Sequence, residues 1–519
     1  MSGSAAADMA GGTSIPDRVT IELQPRGETL TVERGTPLRL VLHEYGVEFP
    51  CGGHAGCAGC KVRVTGGTPP ADEDQAAVLT AAELADGWRL ACRCQADRDL
   101  VLQVEQWETV MLADQSALEF TPRAGLGIAV DLGTTTIVAQ LLDLQSGRVL
   151  DVRSMVNPGA AWGSDVMSRV QAALDDGNRR QLVVELRRAV GSLVSGLAEA
   201  APTGTRPVQS IIVAGNTVMH HFFCDIDPRP LSRAPFEPAQ PEMCLLHARE
   251  LGWPVAGDPL VRFLPCLGGF VGSDILCGIL ATRMMEREQP ILLIDLGTNG
   301  EIVVGNRERA LCASTAAGPA FEGGRIGMGM RASTGAISEV ALSGGRFRCQ
   351  VIGNAAPRGI CGSGLVDAVA CGLDAGWIEA SGRLANGAGT LEIMAPIHVS
   401  QQDIRQLQLA KAAIAAGTRM LLKRFGLADA AEVPIFLAGA FGNYVNRASA
   451  RRIGLVSAPD ARLHPAGNTA LIGAKLALFA EQDDDFAVLR TRIEHVPLAS
   501  DPTFQEIFIR ETVFPEHGS

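Results

Sequence analysis

The chain holds 519 residues with a formal net charge of −12, and because phosphate contacts need clustered Lys and Arg, nucleic acid and anionic membrane are excluded as main partners. Hydrophobic residues make up 47% and charged residues 20%, ample for sizeable globular cores in about two to four domains. No apolar run approaches the ~18 residues of a membrane-spanning helix, so none is expected.

Residues 1–18, MSGSAAADMAGGTSIPDR, are small and polar, without a basic start and an apolar stretch, and read as a flexible tail instead of a secretion signal. Val19 to Leu23 and Glu28 to Val32 alternate like a strand pair around Pro25-Arg26-Gly27. Thr36-Pro37 then offers an N-cap and a proline at the first helical position. In CGGHAGCAGC, Cys51, Cys57 and Cys60 lie close together with Gly52, Gly53, Gly56 and Gly59 between them, and Cys92 follows in WRLACRC. Four thiolates converging from two segments, with a glycine-rich loop wrapping an inorganic core, are what a 2Fe–2S cluster needs. C-x2-C is also zinc spacing, but the second such pair of a structural zinc site is missing. Lys61 to Thr65 reads as a strand leaving the loop, Thr80-Ala-Ala-Glu83 as a capping box, and Leu100 to Val104 as a closing strand.

This order of elements resembles a β-grasp 2Fe–2S ferredoxin domain, assigned to residues 19–105, and its C-x5-C-x2-C loop is similar to a variant of the plant-type loop. The likeness of RLAC to the ferredoxins' RLxC implies Cys92 as the fourth ligand, with Cys94 as the alternative. His54 either tunes or replaces a ligand, or simply lies at the surface. Residues 106–126, ending in Thr121-Pro122-Arg123-Ala124-Gly125, suit an exposed linker. Cys224, Cys244, Cys266, Cys277, Cys312, Cys349, Cys361 and Cys371 are scattered singly and read as reduced packing residues, as in a cytoplasmic protein.

From Gly127 the pattern changes. Ile128-Ala-Val130 is a buried strand, Asp131-Leu-Gly133-Thr134-Thr135-Thr136 a tight polar turn, and Ile137 to Leu142 a second strand. Such a turn presents backbone N–H groups and hydroxyls to phosphate oxygens, and an aspartate at the strand end can hold Mg²⁺ through water. The same design recurs in ILLIDLGTNGEIVVG, where Asp295, Gly297, Thr298, Asn299 and Gly300 take matching places. A repeat of domain size, with one phosphate clamp per half, predicts two lobes over residues 127–290 and 291–480, followed by a C-terminal extension over 481–519 packed on them.

DLGTTT and DLGTNG resemble the two phosphate signatures of the actin-like ATPase superfamily (ASKHA, a duplicated ribonuclease H-like fold), and Phe436-Leu-Ala-Gly439-Ala440-Phe-Gly442 resembles its adenosine motif. A ferredoxin module ahead of such an ATPase resembles the reductive activators of corrinoid proteins, often called RACo. The likeness extends through NPGAAWGSDVMSRV, IIVAGNTVMHHFF, GGFVGSDILCGIL, STAAGPAFEGGRIGMGM and GICGSGLVDAVACGL. Better-known relatives insert a middle domain between linker and first hairpin, and this chain shows almost nothing there, so their dimer arrangement does not transfer, although a homodimer stays among the arrangements the resemblance allows.

The resemblance implies an ATP-hydrolysing electron-transfer protein that passes a low-potential electron from its cluster to the Co(II) of an inactivated corrinoid protein, restoring Co(I) within a methyltransferase system. It implies ATP and Mg²⁺ as further cofactors, an upstream low-potential electron donor, Asp131 and Asp295 as holders of Mg²⁺ or water, Thr134 to Thr136 and Gly297 to Gly300 as phosphate cradles, and Gly439, Ala440 and Gly442 beside adenosine. Gly362-Ser363-Gly364 either lines the cleft or only begins a helix. Glu322 either orients water or satisfies loop N–H groups. Adjacent histidines His220 and His221 diverge on a strand or a helix, which favours a core or corrinoid-facing role over a metal site. A small-molecule kinase with an accessory ferredoxin domain, and a scaffold whose nucleotide only controls redox docking, are the competing functions.

Overall fold

The computed structural model describes residues 18–24, 28–42, 60–103, 120–201, 207–297, 299–333, 335–352, 356–385, 387, 389–480, 484–498 and 501–516. The chain divides into two compact units, Met1–Gln106 and Trp107–Ser519. Among the described residues no helix is long and apolar enough to cross a membrane.

The first unit is built on a five-stranded sheet in the order Glu28–Glu33, Arg18–Gln24, Leu100–Gln103, Lys61–Gly66, Trp88–Leu90. Arg18–Gln24 runs antiparallel to Glu28–Glu33 and parallel to Leu100–Gln103, so the unit's first and last long strands lie side by side, as in a β-grasp fold. Val19, Ile21 and Leu23 alternate inward with Val62, Val64, Leu100 and Leu102 to form its core. The expected capping box forms: Thr80 caps Ala81–Ala85 while Glu83 returns a bond to the Thr80 N–H. Thr36-Pro37 is a correction. The pair forms a short strand against Gln95–Ala96, and the helix begins at Arg39. The N–H groups of Gly35 and Leu38 are taken by the carbonyls of Ala96 and Cys94, and the Thr36 hydroxyl donates to the Glu33 carbonyl, so long-range pairing overrides the local capping signal.

The second unit holds two six-stranded sheets of matching design. In the first, Val149–Val156, Thr136–Asp143, Leu126–Leu132, Val208–Ala214 and Leu260–Phe263 are successive neighbours. In the second, Ala310–Thr315, Gly300–Gly305, Ile291–Leu296, Ile435–Ala438 and Leu463–Gly467 repeat that order and the same pattern of antiparallel and parallel pairing. The two opening strands, LGIAVDL and ILLIDL, are buried nearly throughout, because helices and neighbouring strands cover both faces. Each carries its aspartate one residue from its end, which puts Asp131 and Asp295 at equivalent points of a duplicated actin-like fold.

Two helices lie between the sheets. Ser273–Ala281 buries Leu276 and Cys277 in the first lobe's core and Ile275 and Ile279 in the second's. Thr469–Ala477 packs against it and buries Leu471 and Ala474 with Ala129 and Ile212 of the first lobe, although its place in the sequence assigns it to the second. The chain then returns: Ile493–His495 joins the second sheet beside Ala310–Thr315, and Pro502–Glu511 lies along Gln401–Phe425. Lys411, fully buried in that long helix, donates to the Val513 carbonyl at 2.8 Å and fixes the segment after Pro502–Glu511.

The helix crossing has no room for a side chain at Gly473, since a Cβ there would stand 2.2 Å from the Cys277 carbonyl oxygen. Alanine in a helix interior normally stabilises relative to glycine by roughly 1 kcal/mol. Gly473→Ala should do the reverse and cost about 2–3 kcal/mol in urea unfolding, by overpacking. Equal or higher stability would remove the crossing as described.

Candidate functional site

Both repeated turns open on one cleft of about 290 Å³ between the lobes of the second unit. The first turn is tight: a Cβ on Gly133 would meet the Thr136 carbonyl oxygen at 2.6 Å. Two asparagines hold it from outside. Asn157 donates from its side chain to the Gly133 carbonyl at 2.7 Å and from its N–H to the Thr135 carbonyl at 2.9 Å. Asn216, the N-cap of Thr217–Phe223, donates to the Thr134 hydroxyl at 2.9 Å. Neither asparagine has a role that its own sequence segment declares; the signal is Asn at a strand-to-helix junction, an N-cap position whose side chain has a second hand free for the loop.

In the second turn the Gly297 N–H donates to the Asn299 carbonyl, and Asp295 pairs across the hairpin with Glu301. Gly439 must be glycine twice over: its φ is +80°, and a Cβ would lie 2.7 Å from Asp295 Oδ1. Asp274, in the first turn of the interlobe helix, completes a group of four carboxylates in the lining with Asp131, Asp295 and Glu301. Asp131 accepts from the Asn468 side chain at 2.8 Å, and Glu301 from the Ser314 hydroxyl at 3.2 Å.

Crowding and burial make these groups reluctant to ionise. Burial raises Asp131 to about 6, against the opposing Asn468 hydrogen bond. Burial, then the Asp131 charge, raises Asp295 to about 7. Burial, then Asp295 and Asp131, raises Asp274 to about 8, and Glu301 is pushed upward by burial and by Asp274 and Asp295. Among the described residues no three His, Cys, Asp or Glu side chains are close enough together to hold a bare metal ion.

Asp131, Gly133, Thr134, Thr135, Thr136, Asp295, Gly297, Asn299 and Gly439 all line the cleft. Thr298 lies outside the described residues. Gly300 is turned away, against Ile414 of the long helix. Gly442 packs on Leu437 and borders a separate recess, Ala440 belongs to the helix Gly439–Tyr444, and Gly439 meets the cleft. Phe321 and Phe441, stacked at 4.6 Å, give the cleft an apolar wall. The Gly362-Ser363 segment fills both of its expected roles: it starts the helix Gly362–Asp374 and lines the cleft. Glu322 also faces the cleft. His220 and His221 are core residues: both are fully buried, His220 contacts the Glu242 carbonyl and the edge of Phe263, and His221 accepts from the Ala239 N–H. Burial, then the neighbouring His221, holds His220 down near 3, so it stays neutral.

In the first unit, Cys51, Cys57 and His54 fall outside the described residues. Cys60 and Cys92 are brought together by the strand pair Lys61–Gly66 and Trp88–Leu90, because the Ala91 N–H donates to the Cys60 carbonyl at 3.0 Å. Cys92 is half-buried at the margin of the core, whereas Cys94 is 4% exposed within it. Cys60, at 1% exposure, is buried in the same core as Cys94. The cysteines gathered at this end of the strand pair fit an iron–sulfur group.

Three family models match in succession: the 2Fe-2S iron-sulfur cluster binding domain over residues 21–97, the RACo middle region over 126–287, and the C-terminal domain of RACo, the ASKHA domain, over 289–519. The middle region falls on the first lobe itself, which corrects the expectation that this chain lacks it. The corrinoid activation enzyme RamQ of Eubacterium limosum is 35% identical over 423 residues, covering 75% of this chain and 70% of its own. A Co(II) methylated amine-specific corrinoid protein reductase of Methanosarcina barkeri is 27% identical, covering 76% and 77%. A solved structure of a reductive activator for corrinoid, iron-sulfur protein superposes with a TM-score of 0.66 at 26% identity, covering 96% of this chain and 98% of that one.

The carboxylates make a testable linkage. Their folded-state values lie above the ordinary carboxylate range, so the ligand-free fold retains protons that the unfolded chain gives up. Their contribution is full below about pH 4 and is lost as pH rises through 6 to 8. Asp295→Asn should flatten this fall: without nucleotide, the variant should gain thermal stability over wild type progressively between pH 5 and 8. A constant difference across that range would contradict the assignment.

Proposed function

The chain belongs to the family of the reductive activators of corrinoid proteins, and on that basis we propose that it uses ATP to drive an electron from its own 2Fe–2S cluster to the Co(II) of an inactive corrinoid protein, restoring Co(I) for methyl transfer. The observation that carries this reading is the convergence of two duplicated phosphate turns and four carboxylates on one cleft, in a chain that also carries an iron–sulfur module. The names of the relatives, a corrinoid activation enzyme and a corrinoid protein reductase, agree with it.

Cys51, Cys57, Cys60 and Cys92 would hold the cluster, which supplies a one-electron donor when bound. Asp131 and Asp295 would hold hydrated Mg²⁺, whose charge offsets that of the phosphates. Thr134 to Thr136 of the first turn and the lining residues Gly297 and Asn299 of the second cradle the phosphate chain, and Asn157 and Asn216 keep the first cradle rigid before the nucleotide arrives. Gly439 admits the nucleotide close to Asp295. The work of the protein on ATP is positioning and charge neutralisation. Nucleotide can favour the electron-transferring arrangement only by its differential affinity for the open and closed lobes, and hydrolysis resets it. The protein works in the cytoplasm, served by a separate low-potential donor.

Cys57→Ala should abolish the visible absorbance of the cluster and leave ATP binding intact. Asp295→Ala should slow ATP-driven reduction of a Co(II) corrinoid protein by about 100-fold or more, a typical cost for removing transition-state charge stabilisation, while dithionite still reduces the cluster. Corrinoid reduction that runs equally fast without nucleotide would refute the coupling.

A further inference from the structure

The cleft is electrically lopsided. Asp131, Asp274, Asp295 and Glu301 gather in its lining, and among the described lining residues Arg331 is the one basic side chain. A nucleotide's terminal phosphates carry negative charge into a space already crowded with carboxylates, so the few positive elements of the lining decide where those phosphates can sit.

Arg331 is anchored by its backbone neighbours. The Met330 N–H donates to the Ile360 carbonyl at 2.9 Å, Gly329 pairs with Ile360, and the Ser333 hydroxyl donates to the Arg331 carbonyl. The chain at Ile360 runs directly into the 13-residue helix Gly362–Asp374, whose N-cap, Cys361, makes no side-chain capping bond. Its first residues also line the cleft, so the positive end of that helix faces the same space as Arg331. Gly362 permits this, since a Cβ there would stand within 1.8 Å of the Phe321 carbonyl oxygen. From the first lobe comes Arg169, 1% exposed, whose Nε donates to the Gly163 carbonyl at 2.8 Å and whose charge is felt together with those of Arg331 and Glu322. Gly159 leaves space for it: a Cβ there would meet the Arg169 guanidinium at 2.9 Å. The charges of Arg331 and Glu322 in the second lobe thus reach Arg169 of the first, that of Arg331 opposing its ionisation and that of Glu322 favouring it.

We propose that Arg331 contacts the terminal phosphoryl group of bound ATP and neutralises the charge that spreads over its oxygens during hydrolysis, acting as a catalytic arginine supplied by the second lobe. This rests on the nucleotide reading above. In the step concerned, a water oxygen forms a bond to the γ-phosphorus and the bond from phosphorus to the β,γ-bridging oxygen breaks. The electron pair leaves with ADP, and the water's proton passes to solvent. Arg331 gives up no proton; its planar fork of donors holds two equatorial oxygens, which Lys, a single point charge, cannot do.

The test uses the full chain with MgATP, following phosphate release and, by calorimetry, ATP binding. Arg331→Met should lower kcat by about 100- to 1000-fold or more, with the ATP dissociation constant changed by less than about threefold. Arg331→Lys, the milder variant should the first fold poorly, should show the same split at a smaller size. Added guanidinium should restore part of the kcat of Arg331→Met and none to Asp295→Ala. A kcat within about threefold of wild type in both Arg331 variants, or a loss that falls on ATP affinity alone, overturns the proposal. Wild-type protein that binds no ATP in the same calorimetry overturns the nucleotide reading itself, a result separable from failure of Arg331.

Discussion

The backbone-to-backbone contact of two helices, where Gly473 meets Cys277, is what the rest of the second unit depends on. Each helix begins at the cleft. Ser273–Ala281 carries Asp274 in its first turn, and Thr469–Ala477 is capped by Asn468, whose side chain accepts from the Leu471 N–H and donates to Asp131. The elements that join the lobes are therefore the elements that present polar groups to the nucleotide site. Rotation of one lobe against the other would carry Asn468 together with Asp131, to which it is bonded, and shift both relative to Asp295. Packed interfaces of this kind shift between discrete arrangements and do not deform smoothly, because close packing resists intermediate states. A ligand held by both hairpins can select one such arrangement with no added device.

Legibility in the sequence follows the range of the interaction. The hairpins at Asp131 and Asp295 are readable because apolar strand, polar turn and apolar strand are contiguous, and their recurrence exposes the duplication. The capping box at Thr80 is readable because its bonds span only three residues. Thr36-Pro37 carries an equally good local signal that misleads, because the partners that decide its conformation, Cys94 and Ala96, lie in a distant segment of the chain. Thr469–Ala477 packs into the first lobe's core for a related reason: which core an apolar helix enters is fixed by the path of the chain between sheets, to which periodicity is blind. Within the site, Asp274 and Glu301 sit inside recognisable motifs without a local mark of function. Their meaning comes from convergence across hairpin register and helix end, which no spacing rule reveals. Gly442, a glycine of the adenosine-like motif, packs on Leu437 and borders the neighbouring recess.

The four carboxylates explain why such a cleft can respond to nucleotide strongly. Each is held above its ordinary value first by burial; the charge of Asp131 adds to this at Asp295, those of Asp295 and Asp131 at Asp274, and those of Asp274 and Asp295 at Glu301. A site in this condition is under electrostatic tension that can be relieved by protons or by a cation. Protons relieve it anywhere in the lobes' range of positions, since each carboxyl is neutralised separately. A hydrated dication carried in with phosphates relieves it only where carboxylates from both hairpins and the interlobe helix face the same water shell. Asp131 belongs to the first lobe, Asp295 and Glu301 to the second, and Asp274 to the helix between them. In the proposed cycle the relief would be greatest with the three elements brought together, and that would be a nucleotide's differential affinity for one arrangement of the lobes.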